Sequence, residues 1–512
     1  MFALSLLLAI LSYTVFGLGV FGWLTSKNLI GLTASWLFLV VFYFHNKISL
    51  PEMRLRKREW LLVILLLAAA VINILGALGP EIGFDALWYH LTLPKIWLAE
   101  HSIRYIPGSV FEYSVMPKLI EPLYAVALSL GNEIWAKLIH FCFGLLILIP
   151  LYGLSRKFLG RFMSLLVLVL FYTNLVVGWE SVTAYVDLAR TFFEILALKL
   201  LFDNKPVAAS ITLGLAITVK FLSLTGLPVF LILLLFRKKS LSELFRFTFF
   251  CLLVPLPWWL FSWLTTGNPF YPVFSQPYLN TLIKFDLRDF WILFTQAPDP
   301  ISPVYIISAP LLFLRSVREK SRGVRLIFLY CGLSLIAWFI TPHQGEGRLF
   351  LPFLPAFSLL TVFIINACSP LILKYSLIIL TLLLSLFSII YRSAANFKYL
   401  PVIIGKQTRQ EFLISHLNFS FGDYYDTGNY LAENIPAGKT LLIAGVNNLF
   451  YLPDNIHLVH ISQITGPLNF NLYDFLLVRY PDSKLIPPEN WKIVMTDLKN
   501  HTILYRKITP SV

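Results

Sequence analysis

Asp85 stands in the segment GFDALWYHLTLPK, residues 83–95, directly after a long apolar run. A carboxylate at the edge of an apolar layer is partly stripped of water, and so placed it suits a general base that takes a proton from an attacking hydroxyl. Tyr89, His90 and Lys95 follow within about three helical turns. A helix over 85–99 puts Asp85 and Tyr89, with Trp88 close by, on one side. Asp is also a good N-cap, here of a helix over Ala86–Leu98, so capping competes with chemistry as the reason for its presence.

Other ionisable groups interrupt apolar sequence in the same way. Glu180 and Asp187 flank a short stretch in GWESVTAYVDLAR (178–190), where a helix cap or interfacial anchor is the plainer use and a site acid the sharper one. Lys220 lies in GLAITVKFLSLTG (214–226). A lysine inside a membrane span costs about 3 kcal/mol unless it is paired or reaches water. It therefore either snorkels to the interface or holds an anion such as a phosphate. His343, Gln344, Glu346 and Arg348 crowd TPHQGEGRLFLPFLPAF (341–357). The Arg348 fork matches a pair of phosphate or carboxylate oxygens, with an ion pair to Glu346 as the plainer use. TGNPFYPVF (266–274) adds a turn with aromatics suited to a membrane edge. There is no GxGxxG, no Walker A, no HExxH and no GxSxG, so nucleotide-driven transport and proteolysis lose support. Cys142, Cys251, Cys331 and Cys368 sit in or beside apolar runs without a CxxC pair, which argues against a disulfide framework or a zinc cluster.

These groups must be positioned by membrane helices. Of 512 residues, 57% are hydrophobic and only 13% charged, and the mean hydropathy is +0.74. A soluble domain is about 25% charged. The composition excludes a disordered chain, a collagen-like chain and an ordinary soluble enzyme. A span needs about 20 apolar residues. Candidate spans fall near 3–24, 28–46, 60–78, 133–153, 161–178, 184–202, 206–219, 221–236, 243–264, 301–315, 325–341, 348–366 and 372–391. Lys220 divides the 206–236 stretch into two short helices. The first run, MFALSLLLAILSYTVFGLGVFGWL, lacks a basic region and a cleavage site and reads as a retained helix.

The net charge of +14 sets the orientation. Alternate connections carry Lys47, Arg54, Arg56, Lys57 and Arg58; Arg156, Lys157 and Arg161; Lys205; Arg237, Lys238, Lys239 and Arg246; Arg315, Arg318, Lys320, Arg322 and Arg325; and Lys374. One parity across so many connections places them, and the N-terminus, in the cytoplasm. The excess charge is a topology signal and not a nucleic-acid surface. The outer face then holds the loops 79–132 and 265–300 and the tail after 391, with 117–131 as an interfacial or re-entrant helix. The tail, 392–512, is richer in charge. KTLLIAG (439–445), YDFLLVR (473–479) and the two halves of WKIVMTDLKNHTILYRK (491–507) read as strands, and 409–434 reads as a helix pair. The expected architecture is an all-α polytopic membrane domain, 1–391, with about 13 transmembrane helices, followed by a small α/β extracytoplasmic domain. On this topology Asp85, Lys220 and Arg348 all fall on the outer face. An acid and two cations beside a lipid phase suit a lipid-phosphate donor and an acceptor hydroxyl.

Asp85 in GFDALWYHLTLPK, YVDLA with Asp187, GLAITVK with Lys220, TGNPFYP, GEGRLFLPFLPAF with Arg348, and the tail strings IGKQTRQEFL, YDTGNYLAENIP and TLLIAG occur in this order. On these motifs, over about 60–450, the chain resembles the GT-C type membrane glycosyltransferases, the superfamily of the protein O-mannosyltransferases and lipid A aminoarabinose transferases. The resemblance implies an inverting transferase of the cell envelope's plasma or inner membrane. It implies a polyprenyl-phosphate sugar whose phosphate rests on Lys220 and Arg348, with Asp85 as base. The acceptor is a lipid, glycan or protein hydroxyl. Tyr89, His90, Lys95, Glu180, Asp187, His343 and Glu346 are the supporting candidates. The chain departs from the pattern in two ways. The acid-bearing loop follows the third predicted span where the family usually has it after the first, which makes 1–46 an added helical pair. The loop also has one acid where many relatives have adjacent acids, so no cofactor is implied with certainty and a divalent metal is left open. Competing readings are a lipid-linked glycan flippase or transporter, a polysaccharide polymerase or ligase, and a scaffold that presents the tail. Transporters tend to place ionisable groups at the midplane and to show internal repeats, neither of which is visible here.

Overall fold

The computed structural model describes residues 1–45, 55–275, 285–296, 298–343, 347–454, 456–480 and 485–508, without the side chains of Ser321 and Arg322. All thirteen predicted stretches are helical, because an apolar run in lipid must satisfy its backbone within itself. Their lengths differ widely. Six helices among the described residues are long and apolar enough to cross a membrane: Phe2–Val20, Ser26–Phe44, Lys57–Ala77, Glu133–Ser155, Gly347–Ala367 and Leu371–Ile403. A bent pair, Leu241–Leu253 and Leu256–Thr266, makes a seventh. The chain is thus a multi-pass membrane protein, but thirteen helical stretches do not amount to thirteen established crossings. Arg161–Tyr172, for example, has 12 residues and is about 18 Å long, against a hydrocarbon core of about 30 Å.

The breaks have local causes. Pro255 has no N–H to continue the helix from Leu241, and the two pieces meet at 56°. Asn174 turns its side-chain amide back onto the Phe171 carbonyl at 3.2 Å, which ends the helix at Tyr172 and lets a short one run Leu175–Glu180. Lys220 occupies an extended conformation between Pro206–Val219 and the single-turn stretch Phe221–Thr225, as its charge within the apolar run led us to expect. Where Pro206–Val219 meets Leu241–Leu253, a Cβ on Gly214 would lie 2.5 Å from the Cys251 carbonyl oxygen, so only glycine permits this approach.

The connection 79–132 is built largely of short helical pieces. It contains the π-helical turn Ala86–His90 and the helices Thr92–Glu100 and Glu121–Leu130. The N-terminal pair is joined by Trp36 Nε1 donating to the Leu7 carbonyl at 2.8 Å, and it packs against this loop, where Ser12 Oγ donates to the Leu119 carbonyl at 2.6 Å.

The tail carries a five-stranded sheet made of β1 (Thr440–Ala444), β2 (His457–His460), β3 (Phe475–Arg479), β4 (Trp491–Asp497) and β5 (Thr502–Lys507), in the order β2-β1-β3-β5-β4. The first three strands are parallel, and β5 pairs antiparallel with both β3 and β4. Four strands match the sequence reading. β2, sequence HLVH, escaped it because its short run is half polar. The expected helix pair over 409–434 is Arg409–His416 and Tyr430–Asn434, joined by single turns.

Candidate active site

The acids sit where regular helix gives way. Asp85 precedes the π turn Ala86–His90, whose wider winding re-aims side chains. Its carboxylate makes no capping bond, so the capping role does not hold. Instead Oδ2 accepts from Arg348 Nη1 at 2.6 Å and from Tyr89 Oη at 3.3 Å. Asp85 and Tyr89 therefore do share a side. Burial, and then the Asp85 charge, push the Tyr89 phenol well above its usual range, so it stays protonated and donates. The Asp85 N–H donates to Tyr185 Oη at 3.2 Å, and the Arg348 guanidinium lies 5.1 Å from the centre of the Tyr185 ring. Arg348, in the short helix Gly347–Phe350, is itself anchored by a 2.7 Å bond from its backbone N–H to Asp299 Oδ2.

A second acid–cation pair lies beside the first. Asp187 opens the helix Asp187–Phe202, and its Oδ1 accepts from Lys220 Nζ at 2.8 Å. Asp187 is buried at 1% exposure while Lys220 retains 20%. Lys220 thus reaches a partner and does not simply snorkel. Glu180 is fully buried, and neither of its oxygens has a hydrogen-bond partner among the described residues; His140 Nε2 stands 3.8 Å away.

Two cavities meet here. One, of about 570 Å3, is lined by Asp85, Arg348, Lys220 and Asp299 and walled by Phe84, Trp88, Tyr89, Tyr113, Trp179 and Tyr185. The tail contributes Phe421, whose ring stacks edge-on against Phe84 at 5.2 Å. The other, of about 540 Å3, is mainly apolar, with Met116, Pro117, Val186, Val219, Phe221, Leu222, Val273 and Pro342 in its wall. Tyr89, Tyr113 and Lys220 line both. An apolar groove and a charged chamber thus share one lysine.

The remaining candidates are placed elsewhere. His90 is buried against Glu121, Nδ1 to Oε1 at 2.9 Å, with Lys118 Nζ 3.6 Å from the same oxygen. Burial lowers its affinity for a proton, opposed by Glu121. It lines the apolar groove and not the charged chamber. His343 packs on Trp338, ring centres 4.5 Å apart, with Nε2 3.0 Å from Asp289 Oδ2. Glu346, like Gln344, lies outside the described residues, so the alternative pair with Arg348 is not described; the partner seen is Asp85.

Lys95 lines neither cavity. It does not face the chamber, because the tail captures it: Nζ donates to the Phe450 carbonyl at 2.8 Å and to the Leu452 carbonyl, and pairs with Asp454 at 2.8 Å. Lys95→Met is therefore expected to speed amide exchange across 449–454 by about tenfold or more while leaving donor binding unchanged, read by exchange mass spectrometry.

Asp299, Tyr113, Tyr185 and Phe421 were not anticipated. Asp299 sits between prolines in a loop with no periodic signal, and an aromatic wall has no spacing of its own in the sequence. Among the described residues no three His, Cys, Asp or Glu side chains are grouped to hold a metal, and Asp85 and Asp187 each lean on a cation. No step below uses a metal ion.

No protein-family model matches the chain, and no curated protein matches its sequence. Its fold is nevertheless shared. ArnT from Cupriavidus metallidurans in the apo state superposes with a TM-score of 0.58 at 12% identity, over 86% of this chain and 97% of that one. ArnT from the same organism bound to undecaprenyl phosphate gives 0.59 at 13% identity, over 89% and 99%. The oligosaccharyltransferase of Archaeoglobus fulgidus in the apo form gives 0.47 at 12%, over 82% and 69%. ArnT is a lipid A aminoarabinose transferase of the GT-C type, and at this identity the likeness establishes a common fold.

Proposed function

We propose that this protein is an inverting glycosyltransferase that moves a sugar from a polyprenyl-phosphate donor to an acceptor hydroxyl. The observation that carries the reading is the junction at Lys220, where an apolar groove opens beside the Asp85–Arg348 and Asp187–Lys220 pairs. The ArnT bound to undecaprenyl phosphate shares this fold, which supports a donor of that kind.

The donor's chain occupies the groove and its phosphate meets Lys220 and Arg348. The acceptor oxygen attacks the anomeric carbon from the face opposite the phosphate. Its proton passes to Asp85, the bond to the phosphate oxygen breaks, and polyprenyl phosphate leaves with the electron pair. The leaving anion is already stable, so the cations stabilise developing charge and no strong acid is required. A guanidinium carries five N–H donors, so Arg348 can join base and phosphate in one geometry. Tyr89, by donating to Asp85, holds the carboxylate in place. Lipid, glycan and protein hydroxyls all remain as acceptors.

Purified protein incubated with a panel of polyprenyl-phosphate sugars is expected to release polyprenyl phosphate from at least one. No release from any, with acceptor lipids, glycans and peptides supplied, would remove the reading. The proposed orientation has the N-terminus in the cytoplasm and residues 392–512 as an extracytoplasmic domain. In a variant freed of native cysteines, Arg104→Cys is expected to react with an impermeant maleimide from outside and Arg318→Cys only after permeabilisation. The reverse pattern would invert the topology.

A further inference from the structure

Glu81 lies four residues before Asp85, is fully buried, and lines neither cavity. Its carboxylate accepts from three backbone N–H groups. Oε1 takes Ile82 at 2.9 Å and Gly83 at 2.6 Å, and Oε2 takes Ala184 at 2.5 Å. Ile82 and Gly83 lead into Asp85, and Ala184 leads into Tyr185 and Asp187. One side chain therefore ties the two acid-bearing segments together at their bases. The Glu81 carbonyl also accepts from Tyr451 Oη at 2.7 Å, which brings the tail to the same point.

The Glu133–Ser155 helix backs this tie from behind with two buried residues one turn apart. Lys137 Nζ donates to the carbonyls of Gly76, Gly79 and Pro80 at 3.0, 2.7 and 3.1 Å, gathering the end of the Lys57–Ala77 helix just before Glu81. His140 Nε2 accepts the Leu188 N–H at 3.0 Å, so its Nδ1 carries the proton and donates to the Thr183 carbonyl at 2.9 Å. The second segment is thus clamped at both ends. A buried carboxylate is costly unless its oxygens are satisfied. Here every contact it accepts comes from the two segments whose separation matters to the reaction.

We infer that Glu81 is a positioning residue for the transfer, fixing Asp85 relative to the Asp187–Lys220 pair and the tail wall. Its kinetic consequence rests on the reading of Asp85 as base; its structural consequence does not. A displacement of about 1 Å at reacting groups can cost about 100-fold in rate.

Glu81→Gln tests this. The amide keeps the shape, but in either orientation its NH2 faces an N–H donor, so one segment loses its acceptor. Amide exchange in 82–83 or 183–185 is expected to rise by about tenfold or more with the helices unchanged. Turnover per folded molecule is expected to fall by about 10- to 100-fold while KM for the polyprenyl-phosphate sugar stays within about twofold; counting only folded molecules separates this from a mere loss of folded protein. Tyr451→Phe, which removes one hydroxyl, is the milder second variant and is expected to show the same split at several-fold. Unchanged exchange in both segments, or wild-type turnover per folded molecule in both variants, would overturn the inference. Release of no polyprenyl phosphate by the wild type, with faster exchange in Glu81→Gln, would instead count against the proposed reaction and leave the tie standing.

Discussion

Asp85→Asn is expected to lower sugar transfer by about 100- to 10,000-fold, the range that a positioned proton acceptor supplies. The substitution is nearly isosteric, and the Asn oxygen can still accept from Arg348 and Tyr89, which now hold Asp85 Oδ2 at 2.6 and 3.3 Å. What disappears is the capacity to take the acceptor's proton. Exposure at this pair is 16–17%, so the protein loses an ion pair that is partly solvated and not one sealed in the interior. The folded yield in membranes is therefore expected to hold. Donor binding is expected to stay equal or to tighten, because Arg348 no longer faces a competing carboxylate. The check is a single-turnover assay beside a binding isotherm for polyprenyl phosphate. Wild-type turnover in the variant would remove Asp85 as the base.

Arg348→Ala is expected to weaken binding of the polyprenyl-phosphate sugar by about 10- to 100-fold, the 1.5–3 kcal/mol typical of a hydrogen bond to a charged group. Arg348→Lys is expected to recover only part, since an ammonium lacks the fork. Lys220→Ala should weaken donor binding similarly, with a complication that the geometry exposes. Asp187 has 1% exposure and depends on Lys220. Removing the lysine alone leaves a buried charge unpaired, at a cost of about 3–5 kcal/mol. The pair Lys220→Ala with Asp187→Asn removes that charge and is expected to restore stability without restoring donor affinity. If the double variant regains affinity as well, Lys220 acts only as the counter-ion of Asp187 and not at the phosphate.

Much of the fold is legible in the residues because the solvent imposes it. Apolar runs in lipid become helices, and every expected run did so. Their ends were less legible, since breaks such as Asn174 depend on one side chain turning back to the backbone. Asp85, Asp187, Lys220 and Arg348 stood out as ionisable groups where the environment penalises charge. The same rule flagged Lys95, which the tail captures, and His90 and His343, which pair with Glu121 and Asp289 outside the chamber. It overlooked Glu81 and the aromatic wall. A glutamate after a glycine–proline step reads as a surface residue until three backbone N–H groups are seen to converge on it.

By itself the sequence determined which segments become apolar helices, because transfer of apolar surface and backbone satisfaction are local properties of each run. It also determined which few ionisable groups had to be explained. Only the tertiary structure decided the partners. Asp85 meets Arg348 across 263 positions, and Asp187 meets Lys220 across 33. No spacing encodes those pairings, because they depend on how broken helices pack and on where the tail closes over them. Packing alone also placed the charged chamber beside the apolar groove, and that junction is what the proposed reaction requires.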